Sequence, residues 1–236
     1  MLALTLFSIG MVFIDIFIAK TDILETSFTE VSQEVMLAII AGLFWLSARQ
    51  PGQRGVGILI GGFFACMLIR ELDGLFDPIS HSFWLWPALL TAGTCVYKAL
   101  GYKNAWRDVV SGLARFSIRP AFGFIMAGLL VLIFSRLFGM GSLWHGILQG
   151  GYARLAKTTV EEGVELLAYS ICLGGALDYF LELRRDLSRF DELIKLQISM
   201  PVKARRRAVA EAMDQRLNLA PAYSPSIIRP SASARK

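Results

Sequence analysis

The chain has 236 residues, of which 55% are apolar and only 18% charged, with mean hydropathy +0.53 and formal net charge +5. A soluble domain carries roughly 45–50% apolar and about 25% charged residues, so a water-soluble globular body is excluded. The positive charge gathers at the C-terminal end, forms no nucleic-acid patch, and leaves nucleic acid outside the expected partners.

The first apolar run, 1–19, lacks the basic start and the small-residue cleavage site of a secretory signal, so it reads as an uncleaved membrane helix that Asp15 interrupts late. A spanning helix needs about 20 mostly apolar residues. Six segments approach that length: 1–19, 31–48, 56–73, 83–100, 119–138 and 160–183. The first two are short and carry Asp15 and Glu34; they could instead form one helical hairpin. In 56–73, Gly57 and Gly61 make a GxxxG that lets a second helix approach closely. Trp84 and Trp86 at one end of 83–100, and Tyr97 and Tyr102 at the other, read as aromatic belts.

Between the fourth and fifth segments, Trp106, Val109, Val110, Leu113 and Phe116 recur near one helical face, with Asn104 placed to cap it. That predicts a short helix lying on the membrane surface. The 139–157 connection holds an apolar patch with Trp144 and His145, too short to cross and expected to lie at the interface over an acidic site. After Arg184, Leu187, Phe190, Ile194 and Ile198 keep helical spacing between charges. The predicted fold is therefore all-α: a polytopic bundle of about six membrane helices over 1–184, basic amphipathic helices over 185–219, and a disordered Pro-, Ser- and Ala-rich tail over 220–236. Arg205, Arg206 and Arg207 suit contact with anionic lipid headgroups at the bilayer surface. A membrane or cytoplasmic protein partner for this extension is also open.

Basic residues set orientation. Arg49, Arg54, Lys98, Lys103, Arg107, Arg115, Arg119 and the many after Arg184 fall on one side; Lys20, Arg70, Arg136, Arg154 and Lys157 fall on the other. Both termini are thus expected in the cytoplasm, with the chain multi-pass in the cell (inner) membrane. The outer half is acidic, and two distant clusters meet there. Glu71, Asp73, Asp77 and His81 follow the third segment; Glu161, Glu162 and Glu165 open the last.

Carboxylates at membrane depth are costly and mark a functional question. Glu71 and Asp73 stand at a helix C-terminus, where the dipole disfavours anions. Thr159 to Glu162 fits a capping box, which would account for Glu162. Glu161, Glu165 and Tyr169 share one face at spacings of four and form a polar stripe. A structural explanation is a buried ion pair with Arg70 or Arg136.

Three chemistries fit. Glu71, Asp73, His81 and Glu165 could hold a divalent metal; Glu71, Asp73, Asp77, His81, Glu161, Glu165 and Tyr169 could bind a proton or cation; or the acids could act as acid and base on a lipid-linked substrate. HExxH, ExxH and GxSxG motifs are absent, and Cys66, Cys95 and Cys172 form no CxxC pair and read as apolar fillers. The leading expectation is cation or proton handling, or coupled transport. A non-catalytic membrane subunit or scaffold comes next, then a membrane enzyme.

Overall fold

The computed structural model describes residues 1–19, 27–76, 80, 82–148, 153–199 and 201; every element among them is helical. The chain divides into two units, Met1–Arg185 and Asp186–Lys236. The second basic helix and the tail expected beyond Pro201 lie outside the described residues.

Helix α1 (Leu2–Phe13) widens into a π-helical turn at Ile14–Ala19. Asp15 on that turn is fully buried. One of its oxygens accepts from the Phe28 amide at 3.0 Å; the other accepts from the Thr29 amide at 2.7 Å and the Thr29 hydroxyl at 2.6 Å. These amides open α2 (Phe28–Ser47), whose first turn has no intrahelical acceptors for them. Ser27 takes the Glu30 amide at 3.1 Å. Asp15 is therefore a cap delivered from the preceding helix, an anion set on the positive end of α2.

The α2–α3 seam follows from small residues. On α3 (Arg54–Glu71), a methyl added at Gly57 would stand 2.6 Å from the Phe44 carbonyl oxygen. One at Gly61 would meet the Trp45 ring at 2.5 Å. The GxxxG is a packing seam. After the short α4 (Asp73–Phe76), α5 (Leu85–Leu100) lies against the other side of α3, with Cys95 close to Gly62.

Helix α6 (Ala105–Ser117) differs from expectation in its rotation. It buries Ala105, Val109, Gly112 and Phe116, because Gly112 lets Val56 of α3 approach. Trp106, Val110 and Leu113 face outward. Asn104 occupies the cap position but adopts φ 65° and caps nothing with its side chain. Helix α7 (Pro120–Phe138) starts on its proline, where the missing amide costs nothing. The short α8 (Gly141–Leu148) is pinned by the Trp144 indole, which donates to the Phe138 carbonyl at 2.6 Å.

Helix α9 (Ala153–Ser199) is the axis of the first unit. Its Ser170 meets Ser8 of α1 at 2.6 Å, and its Cys172 fits over Gly128 of α7. Tyr179 donates to the Gln53 side chain at 2.8 Å and sits in an aromatic cluster with Phe44 and Phe116. In the second unit α9 continues from Asp186 to Ser199, with Leu187, Phe190, Ile194 and Ile198 exposed.

Among the described residues three helices are long and apolar enough to cross a membrane: Phe28–Ser47, Pro120–Phe138 and Ala156–Leu196. The other expected spans fall short for visible reasons. Helix α3 has 18 residues but carries Arg54 and the Arg70–Glu71 pair at its ends, and α5 has only 16. At 1.5 Å per residue these reach about 24–27 Å, against a hydrocarbon core of roughly 30 Å. Leu90 (73% exposed), Ile133 (69%) and Ile9 (60%) show an apolar exterior. Soluble monomers rarely display apolar surface on that scale. The exterior and the long apolar helices together describe a membrane protein.

Candidate functional site at the acidic end

Four helices deliver side chains to one end of the bundle. Helix α9 contributes Glu161, Glu162, Glu165 and Tyr169; α3 ends there with Arg70 and Glu71; α7 ends there with Ser135 and Arg136; α2 begins there with Gln33. The four-residue spacing of Glu161, Glu165 and Tyr169 puts all three on the α9 face toward α3 and α7.

Tyr169 is 1% exposed and donates its hydroxyl to Glu71 at 2.7 Å. Arg70 donates to the other Glu71 oxygen at 2.9 Å. Glu165 is 2% exposed; Arg136 pairs with it and the Ser135 hydroxyl donates to the same oxygen at 3.2 Å. Arg136 also lies 3.5 Å from Glu161. Both candidate arginines are thus engaged, one per cluster. Between α3, α7 and α9 a cavity of about 430 Å³ is lined by Arg70, Glu71, Arg136 and Tyr169 over an apolar floor of Phe63, Met67 and Leu132.

Glu162 is placed differently. Gln33 is fully buried and donates its amide to the Glu162 carbonyl at 3.0 Å and to the Glu162 carboxylate at 2.9 Å. The carbonyl oxygen of Gln33 has no hydrogen-bond partner. No cation lies within ion-pair distance of Glu162 among the described residues.

The capping box expected at Thr159 does not form. Helix α9 begins at Ala153, so Thr159 and Glu162 are inside it and their amides are already spent on the helix. The N-terminal dipole therefore no longer accounts for Glu162. Asp73 opens α4 and lies outside the cavity lining. Asp77 and His81 lie outside the described residues. His145 on α8 is exposed. Among the described residues no group of three or more His, Cys, Asp or Glu side chains has metal-binding geometry.

Gln33 and Ser135 were not legible as site residues. Both are uncharged, and only burial beside the carboxylates gives them a role. Their one signal is location: Gln33 falls in the second turn of α2 and Ser135 in the last turn of α7, both on the acidic side.

Chemically, four carboxylates, Glu71, Glu161, Glu162 and Glu165, face two guanidinium groups, Arg70 and Arg136. If all were ionised, this group of side chains would carry two negative charges in excess, and Glu162 would have no ion pair among the described residues. A carboxylate taken from water into low dielectric costs several kcal/mol unless it is paired or protonated. The arrangement can therefore hold a positive charge: a proton shared among acids, or a small cation on carboxylate and amide oxygens. Comparison with known protein families, curated proteins and solved structures finds no match to this chain.

Proposed function

We propose that this chain is a multi-pass membrane protein whose acidic end takes up a proton or a small cation, in ion handling or ion-coupled transport. The alternation of basic-rich and basic-poor connections along the sequence supports about six passes, the shorter helices crossing a locally thinned bilayer, with both termini on the basic, cytoplasmic side of the cell membrane. The observation that carries the reading is Glu162, held by the neutral, fully buried Gln33 whose own carbonyl oxygen is unpartnered. A structural lattice has no use for a half-buried acid with no ion pair among the described residues, nor for an orphan carbonyl beside it. A proton on the carboxyl, or a cation between the two oxygens, satisfies both.

The test uses the full chain in detergent and in proteoliposomes. Thermal unfolding of the parent protein is expected to respond to pH or to one of Na⁺, K⁺, Mg²⁺ and Ca²⁺, and Glu162→Gln is expected to fold while losing that response and any matching flux. A parent protein indifferent to pH and to all four cations would contradict the proposal.

The scaffold reading has its own support, since Arg136–Glu165 and Arg70–Glu71–Tyr169 tie α3, α7 and α9 together. It predicts that Glu165→Gln loosens the bundle and that Glu162→Gln leaves every property unchanged.

A further inference from the structure

At the opposite end of α3 a second cavity, of about 600 Å³, opens between α2 and α5. Its walls are Trp45, Ile58 and Leu90, and its rim carries Arg49, Arg54 and Lys98. None of the lining residues is acidic. The three cations are exposed, and Arg54 lies over the Tyr102 ring at 4.9 Å from its centre. Helix α3 begins at this rim without a side-chain cap, because Gln53 in the cap position is engaged by Tyr179 instead. The positive end of the α3 dipole thus adds to the three side-chain charges.

We propose that this cavity is a binding site for an anionic phospholipid, with the phosphate on the Arg49, Arg54 and Lys98 rim and an acyl chain along Trp45, Ile58 and Leu90. The argument is one of matched chemistry. A free phosphate would use the rim and leave the apolar walls empty; a neutral lipid would use the walls and leave three cations and a helix N-terminus unanswered. An anionic lipid is the occupant that uses both, and the volume falls in the range of pockets that enclose a ligand. Basic pockets between membrane helices are suited to such headgroups. Every lining residue belongs to the first unit and none to the acidic end.

The experiment is native mass spectrometry of the full chain in detergent with added phosphatidylglycerol, phosphatidylcholine or inorganic phosphate. The parent protein is expected to hold one phosphatidylglycerol more tightly than any other, with no equivalent phosphatidylcholine. Each rim charge contributes roughly fivefold to affinity, so Arg49→Gln/Arg54→Gln/Lys98→Gln is expected to weaken that lipid by about a hundredfold. These side chains are exposed, and an unchanged thermal midpoint shows that the variant still folds. Thr91→Phe fills the cavity wall with the charges kept, and is expected to displace the same lipid. Lipid contact by the C-terminal residues is common to all variants and cancels. Equal phosphatidylglycerol binding by the triple variant, retention of lipid by Thr91→Phe, or displacement by millimolar inorganic phosphate would each overturn the proposal.

Discussion

The two ends of α3 handle charge in opposite ways. At the Glu71 end, charge is inside: Glu165 and Tyr169 are buried, and their partners come from other helices. At the Arg54 end, the charge around the cavity is outside: Arg49, Arg54 and Lys98 ring it, while Tyr179 and Gln53 share a neutral hydrogen bond beside an aromatic cluster. The difference teaches what each end is for. Exposed cations cost little and attract whatever anions the membrane surface offers. Buried carboxylates cost much, and stay only where a partner or a bound positive charge offsets them.

The sharpest way to break this contrast is to remove a partner on the buried side. Arg136→Ala strands Glu165 and is expected to cost about 3 kcal/mol, toward the lower part of the range for breaking a buried pair because the guanidinium is half exposed. Unfolding in detergent measures it, and a loss under about 1 kcal/mol would place the acidic end in bulk-like solvent. Next comes the seam between the ends. Gly57→Ala drives a methyl against the Phe44 carbonyl and is expected to cost about 2 kcal/mol while leaving the cation or pH response intact. A joint loss of stability and response would show that the site depends on that seam.

Tyr169→Phe removes one hydroxyl from Glu71 and is expected to cost about 1 kcal/mol, the scale of a single polar contact inside a membrane bundle. The smallest effect belongs to the other end. Lys98→Gln is expected to change stability by less than about 0.5 kcal/mol, since the side chain is exposed and pairs with no acid among the described residues. A larger loss there would erase the distinction between inside and outside charge.

Much of this contrast could be read from the residues alone. Glu71 and Glu165 lie in separate apolar runs, yet counting passes brings both to one end, and the coordinates put them in neighbouring ion pairs around Tyr169. Gly57 and Gly61 announced a close helix contact by spacing. Other features depended on partners that no local pattern encodes. Asp15 looked like a flaw in a span because the amides it caps belong to the next helix. Thr159 looked like a cap because 153–158 is too polar to extend an apolar run, though it is helical all the same. Gln33 carries no charge and no motif, and gains meaning only from burial against Glu162. The rotation of α6 was missed because Gly112, a residue without a side chain, decides which face Val56 can reach.

The most direct test is infrared difference spectroscopy of the carboxyl C=O stretch as pH is lowered or the active cation is added. A responsive carboxyl band that disappears in Glu162→Gln and persists in Lys98→Gln is the result the account predicts. A spectrum with no responsive band, or one unchanged by Glu162→Gln, would contradict a positive charge held at the acidic end.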